Sequence, residues 1–566
     1  MDLVDKINRL SPRWLGFLVF ALGLVVWGNS LFNGFVWDDE EQIVNNPLVQ
    51  SISNLPQIFT SSTFNGGGAS PTGWFYRPIM TFFYLLNYSV WGANAFGFHL
   101  FQVLVHLFNA ILVFLIFKEL FSEAKISKPK ITSFLAALIF VVHPANVEAV
   151  VYIAALQESL YTFFTLLVLL LYMKAKKFEG KEIQFFFLSA LLTLLVFLSK
   201  ESGIFVIPFV FIFLFLFQRK RIILWLSICA LTISIYLFLR LVVAKIPLSA
   251  PNVGPIANAS FFERLISVPY EFFSYFRIIF FPKDLYISQH YLVANISDFR
   301  FWGFFVLAII VSVFVLRFLL KKRSAVFFFF AFWFFGSLSL VLNLIPLDMS
   351  VAERWLYFPL IGFIGMAAVI LSQLKFSKIF IKSGVFLVLV VILLFGGRTI
   401  IRNIDWHDGL TLYSRDILLN PDAFDLQNNY GVELFRAGRI EEAKGHFERS
   451  IELYPSWWFA YNNLGAVYER LEDLDKAAGY YKKALEISDY FLAYENLALV
   501  KLRINEPKET IEFLEEATAK LPNNPKLRTM LAIAYYENGQ FKQAEFAARG
   551  NPSLLQAIQK KTLKWR

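Results

Sequence analysis

The stretch WLGFLVFALGLVVWGNSLFNGFVWDDEE, residues 14–41, decides the fold class and poses the functional question in one line. Residues 14–37 form an apolar run of membrane length, since a helix needs about 20 such residues to cross a bilayer. The run is longer than the apolar core of a signal peptide and lacks a small-residue cleavage site, so it reads as a retained anchor. Asp38, Asp39, Glu40 and Glu41 follow it directly. Four carboxylates at a membrane surface repel one another and gain nothing from lipid. A reaction site at the bilayer face explains them; a solvated turn is the plainer alternative.

The rest of the chain extends the first reading. Apolar residues make up 57% and charged residues 17%, with a mean hydropathy of +0.55, so most of the chain is not water-soluble. Further membrane-length runs occupy 98–117, 131–152, 154–172, 183–199, 204–217, 222–243, 302–320, 326–345, 355–374 and 379–395, about eleven spans with the first. The 66 phenylalanines lie largely in these runs and read as lipid-facing and interhelical packing. Lys6, Arg9 and Arg13 precede the first span, and basic clusters at Lys118–Lys130, Lys174–Lys181, Arg219–Arg221 and Lys321–Arg323 follow even-numbered ones. All fall on one side, which the positive-inside rule makes cytoplasmic. Residues 261–281 are apolar enough to span but carry Glu263, Arg264, Glu271 and Arg277 and would break this pattern, so they read as a helix lying on the outer interface. The net charge of +10 is mostly these cytoplasmic clusters and calls for no nucleic-acid partner. The lone Cys229 excludes a disulfide framework, and the six histidines form no metal-ligand pair.

From about Ile401 charges return and the sequence repeats. Tyr430-Gly431, Leu464-Gly465, Leu497-Ala498 and Leu531-Ala532 recur every 33 or 34 residues, and Ala443, Ala477, Thr510 or Ala544 stands twelve residues after each small residue. This pattern is similar to the tetratricopeptide repeat, in which small residues let two antiparallel helices pack closely. The fold class is therefore all-α: a polytopic helical bundle over 1–400, a linker or degenerate half-repeat over 401–422, about four repeats over 423–550, and a tail over 551–566. An odd number of spans with a cytoplasmic N-terminus places the repeats outside, on the side of Asp38–Glu41. Their concave groove is of the kind that binds an extended peptide.

The loop over 38–97 is long for a connection, and long structured loops usually carry function. It holds the acidic run, a flexible Asn65-Gly66-Gly67-Gly68 stretch and Trp74-Phe75-Tyr76-Arg77-Pro78. Ionisable groups recur at the outer ends of other spans: His143-Pro144 with Glu148, Gln157-Glu158, Lys200-Glu201 and Glu353-Arg354. Charges at membrane depth are costly and mark sites where they converge. Lys200 snorkelling beside a paired glutamate is the bland alternative for that turn. Glycosyl transfer from a lipid phosphate to a hydroxyl needs this layout. A carboxylate takes the acceptor proton, and others stabilise an oxocarbenium-like transition state. A guanidinium fork fits the leaving phosphate. Asp38 or Asp39 can serve as base, and Arg77, Lys200 and Arg354 can meet the phosphate.

Asp38-Asp39, Tyr76-Arg77-Pro78, His99, His143-Pro144 with Glu148, Lys200-Glu201 and Glu353-Arg354-Trp355-Leu356-Tyr357-Phe358-Pro359, with the trailing repeats, resemble the transmembrane and tetratricopeptide-repeat O-mannosyltransferases of the GT-C superfamily. The resemblance covers nearly the whole chain. It implies transfer of mannose from a polyprenyl-phosphate donor to Ser or Thr of extracytoplasmic proteins, with a first-loop aspartate as base. It places His143, Glu148, Glu201 and Glu353 with Arg77, Lys200 and Arg354 around donor and substrate. Asp38, Asp39 and Glu40 are the available ligands if a divalent metal takes part. With about four repeats, fewer than the animal members carry, the chain looks like a prokaryotic relative in a plasma (inner) membrane. Two other classes compete. A non-catalytic, membrane-anchored repeat scaffold would tolerate loss of both aspartates, and a transporter would show internal span repeats or broken midplane helices.

Overall fold

In a computed structural model, residue 7 and residues 9–64, 73–248, 253–322, 324–373, 378–504 and 507–563 are described. The Asn65–Gly68 stretch, Lys6 and Arg323 lie outside them. Every regular element among the described residues is helical. The chain divides into two compact units, a bundle within residues 1–412 and a C-terminal unit from Tyr413 onward.

The bundle holds α1 (Pro12–Trp27), α2 (Pro78–Trp91), α3 (Ala95–Glu123), α4 (Pro129–Val142), α5 (Val147–Val151), α6 (Leu156–Met173), α7 (Glu182–Ser199), α8 (Val206–Phe217), α9 (Ile222–Leu237), α10 (Phe261–Phe280), α11 (Phe299–Lys322), α12 (Ala325–Leu338), α13 (Tyr357–Ser372) and α14 (Lys378–Asp405). Among the described residues eight helices are long and apolar enough to cross a membrane, α4 and α5 form a pair bent by 52°, and two shorter apolar helices cover Glu201–Phe217 and Ala325–Val341. Together they account one for one for the eleven apolar runs. The protein is a multi-pass membrane protein followed by a helical repeat array.

Ser11 and Pro12 start α1 as a side-chain cap and an N1 proline. The helix is shorter than its apolar run: it ends at Trp27, tightens into a 3-10 turn to Phe32, and leaves 33–37 as loop. Asn29 and Asn33 donate to the Ile400 and Asn403 carbonyls of α14, each at 2.9 Å, and Asn403 returns a bond to Val26 O at 3.1 Å. Deeper in the bundle the Tyr357 hydroxyl donates to His106 Nδ1 at 2.8 Å, while Asn109 donates to Ser159 O and Tyr357 Oη at 2.9 and 3.1 Å. Trp27 Nε1 donates to Val141 O at 2.7 Å. With no water at that depth, each polar group must find a protein partner, so these bonds fix which spans are neighbours. Phenylalanine fills the remaining space: the Phe209 ring lies 4.7 Å from Trp333, 5.2 Å from Phe329 and 5.4 Å from Phe358. Gly362 lets α13 lie against α12, since a Cβ there would come within 2.6 Å of Phe334 N.

The 38–97 loop contains α2, whose 14 residues are too few to span and so left no membrane signal. Residues 261–281, read as a helix on the outer interface, form α10. A capping box of Ser260 and Glu263 starts α10. One face then packs into the bundle, with Glu271 fully buried against Asn343 Nδ2 at 3.1 Å and Phe280 set 5.4 Å from Phe363.

The C-terminal unit is four helix pairs, Phe424–Arg436 with Ile440–Leu453, Trp458–Arg470 with Leu474–Ile487, Phe491–Ile504 with Pro507–Lys520, and Pro525–Glu537 with Phe541–Ala547, preceded by Gly409–Leu419 and followed by Pro552–Gln559. In the first two pairs the small residue of the first helix faces a large ring of the second, Gly431 against Phe447 and Gly465 against Tyr481. A Cβ on Gly465 would lie 2.6 Å from Tyr481 Cε1. Gly465→Val should therefore destabilise this pair by about 1–3 kcal/mol through overpacking. Thermal melts of the full-length protein followed by circular dichroism should show an early loss of helix, partly recovered when Tyr481→Leu is added.

Candidate active site

The two aspartates sit in one tight turn and do different things. Asp39 N donates to Val36 O at 3.2 Å, closing a four-residue turn around Trp37 and Asp38. The Asp39 carboxylate is then fully committed: Oδ2 accepts from Val36 N at 3.0 Å and Oδ1 from Ala154 N at 2.6 Å. It is 1% exposed and pins the turn to the start of α6. Asp38, beside it, keeps part of its surface exposed. Burial raises the Asp38 carboxyl above the ordinary aspartate range; the Tyr152 hydroxyl, Arg354 and Arg77 pull it back down, and Asp348 pushes it up. A one-turn π-helix, Glu40–Val44, follows.

Around this turn the cations are all paired. Arg354 is held by Glu148, whose two oxygens take the guanidinium and the Arg354 backbone N–H, the latter at 2.8 Å. Both sit at helix breaks, Glu148 in α5 just past the bend and Arg354 in the 3-10 turn Glu353–Leu356 that starts α13. Lys200 pairs with Glu158 of α6 rather than with its sequence neighbour Glu201. Glu201 accepts instead from Arg77 Nε at 2.8 Å and Tyr76 N at 3.1 Å, with Arg240 3.8 Å away. Arg77 and Arg354 both bear electrostatically on Lys200, and both bear on Asp38, so the three pairs converge on one region.

Of the residues singled out in the sequence, Asp38, Arg77, Glu148, Lys200, Glu201 and Arg354 come together here. His143 occupies the bend between α4 and α5: Nδ1 accepts from Ala145 N at 3.1 Å and Nε2 donates to Ile279 O at 3.0 Å, so both ring nitrogens serve the backbone and neither is offered to a phosphate. His99 Nε2 donates to Gly34 O at 3.3 Å. Glu353 is buried and its charge acts on Arg398. Asp38, Asp39 and Glu40 do not fit a metal: Asp39 has both oxygens on backbone amides, and among the described residues no group of three or more His, Cys, Asp or Glu is placed to share an ion. The sequence reading missed Trp37, Tyr152, Asp348 and Arg240. Arg240 had a signal, as an arginine inside the apolar run 222–243.

Known proteins agree with the resemblance. Family models of the tetratricopeptide repeat match residues 458–490 and 504–549. Protein O-mannosyl-transferase F38B6.6 of Caenorhabditis elegans is 27% identical over 455 residues, covering 77% of this chain and 62% of that protein. Protein O-mannosyl-transferase TMTC3 of Mus musculus is 24% identical, covering 79% of this chain and 51% of its own length, and Protein O-mannosyl-transferase TMTC4 of Homo sapiens is 30% identical over 37% of this chain and 30% of its own. The chain thus spans less than two thirds of the length of each of these relatives. Among solved structures, the tetratricopeptide-repeat protein YrrB aligns at 19% identity over 27% of this chain and 85% of its own, with a TM-score of 0.24.

The buried pair at the centre gives a direct test. Glu148→Gln leaves the Arg354 charge 10% exposed and without its counter-ion, which should cost about 3–5 kcal/mol. A large drop in melting temperature of the purified protein in detergent is the expected result. Asp39→Asn should also lower it, because an amide NH₂ then faces a backbone N–H that Asp39 now accepts.

Proposed function

We propose that this protein is a membrane glycosyltransferase that moves a sugar, mannose by resemblance, from a polyprenyl-phosphate donor to Ser or Thr hydroxyls of extracytoplasmic proteins, with Asp38 as general base. The observation that carries the reading is the division of labour in the turn: Asp39 is spent on backbone amides, while Asp38 is only half-buried as a residue and stands among cations. The names of the relatives supply the reaction class. Asp38 takes the proton of the acceptor hydroxyl as its oxygen attacks the anomeric carbon. The bond from that carbon to the phosphate oxygen breaks, and its electron pair leaves with the polyprenyl phosphate. The guanidiniums of Arg354 and Arg77 and the Lys200 ammonium keep donor capacity beyond their carboxylate partners and meet the phosphate charge.

The repeat array supplies the acceptor side of this reading. Repeats of this type bind extended segments, and a tethered acceptor raises the local concentration of hydroxyls at a site. In this reading the N-terminus is cytoplasmic and the array lies outside a plasma (inner) membrane, an orientation that the basic clusters support. A scaffold without chemistry draws on the same array, and the aspartate separates the two readings.

Asp38→Asn should lower sugar transfer about 100- to 10,000-fold with expression and melting temperature unchanged. Full transfer by Asp38→Asn removes Asp38 as the base, and absence of transfer by the wild type leaves the scaffold. Because the base must be ionised and burial raises its pKa, wild-type transfer should be lost on acidification at a midpoint above the ordinary aspartate range. For topology, a cysteine placed at exposed Lys483 should react with an impermeant maleimide on intact cells in a Cys229→Ser background. Labelling only after permeabilisation would put the array inside and end the role assigned to it.

A further inference from the structure

Trp37 occupies a place that a tryptophan rarely takes. It is the first central residue of the Val36–Asp39 turn and has φ +58°. That position favours Gly, Asn or Asp, which carry little steric cost there. The other described non-glycine residues with positive φ are four lysines, Asn343 and Glu472. Backbone strain of this kind persists only where the surroundings over-determine it, and it gathers at functional sites.

The surroundings are visible. The Trp37 indole stacks on the Tyr152 ring, with centroids 5.2 Å apart and planes 15° from parallel. The Arg354 guanidinium carbon lies 5.7 Å from the Trp37 ring centroid and 5.5 Å from that of Trp355. The same two partners, Tyr152 and Arg354, act on the Asp38 carboxyl of the next residue. The strained backbone and the clamped ring are therefore two halves of one device. The turn sends the Trp37 side chain to Tyr152 and Arg354, and the neighbouring peptide presents Asp38 to the same pair.

We infer that Trp37 is the positioning residue of the site: its indole, held between Tyr152 and Arg354, fixes the Asp38 carboxyl relative to the Arg354 guanidinium. This rests on the reading of Asp38 as base. The ring touches neither proton nor phosphate in this role; it sets the distance between the groups that do. A hydrogen-bonded turn alone would hold the backbone equally well with glycine at 37, so the large side chain is what the strain serves.

Trp37→Gly removes the ring and the strain together, whereas Trp37→Phe keeps an aromatic face. Sugar transfer by Trp37→Gly should fall at least tenfold in kcat with a smaller change in KM for the lipid donor, and Trp37→Phe should restore most of it. The pH–rate profile is the readout a merely structural role would not move. Asp38 faces Arg354, Arg77 and the Tyr152 hydroxyl, which lower its pKa, and Asp348, which raises it, with the Asp39 carboxylate as its chain neighbour. Loosening Arg354 should move the acidic limb of Trp37→Gly to higher pH. The coupling is also read without turnover, by detergent melts of Trp37→Gly, Arg354→Lys and the double variant. Less than additive losses support the clamp. Additive melts, or full kcat with an unmoved acidic limb in Trp37→Gly, would overturn the proposal. Asp38→Asn assayed in parallel keeps the two ideas apart: if it is fully active the base reading falls, and if it is inactive while Trp37→Gly is unaffected only the positioning role falls.

Discussion

The bundle depends on the ion pair between Glu148 and Arg354. Glu148 is wholly buried and Arg354 nearly so, and each lies where a helix is broken: one after the bend at His143, the other in the 3-10 turn before α13. A buried charge tolerates no missing partner, so the two breaks must stay opposed. Glu148 binds both the guanidinium and the backbone N–H of Arg354, which fixes the turn as well as the side chain. Everything placed by that turn, including the ring contacts of Arg354 with Trp37 and Trp355, inherits its position from this pair. Removing it would leave a charge in the interior and free two helix breaks to move.

The neighbouring pairs repeat the logic with different loops. Glu201 accepts from both the side chain of Arg77 and the backbone of Tyr76, so it anchors the segment before α2 as Glu148 anchors the segment before α13. Arg240 reinforces it, donating to Trp74 O at 3.1 Å and Pro247 O at 2.7 Å. Glu158 holds Lys200 at the turn between α7 and α8. Carboxylates at helix breaks and in the first turn of α6 thus hold these cations. An arginine spends only some of its five N–H donors on a carboxylate, and the rest remain for another anion.

Much of this was legible in the sequence, and the illegible part has a common cause. Apolar run lengths give the spans, because bilayer thickness and helix rise leave little freedom, and the small residues at fixed intervals give the repeats, because a Cβ at Gly431 or Gly465 would meet the ring of Phe447 or Tyr481. The site residues Asp38, Arg77, Glu148, Lys200, Glu201 and Arg354 were visible as costly charges at span ends. Their pairing was not. Lys200 and Glu201 are adjacent in the chain yet face different partners, because successive residues leaving a helix end point apart. His143 was grouped with the site as an ionisable residue at a span end; its ring instead accepts from Ala145 N at the bend and donates to Ile279 O of α10. Asp38 and Asp39 were equivalent in the sequence and become distinct only through a turn that no periodicity reveals.

The two units hold themselves together differently. In the bundle a few buried polar contacts, each joining distant segments, decide the arrangement, so the loss of one is felt by several helices. In the array the contacts recur between neighbours: Asn463 donates to Asn428 at 2.9 Å, Asn496 to Asn462 at 3.0 Å and Asn524 to Glu495 at 2.8 Å, stepping from one repeat to the next. These carboxamides set the register of successive first helices, while small-against-large contacts close the first two repeats. Stability there is a sum over nearest neighbours. A defect in one repeat can open that repeat and its neighbours while the remainder stays folded, a tolerance that the bundle, tied through Glu148 and Arg354, does not share.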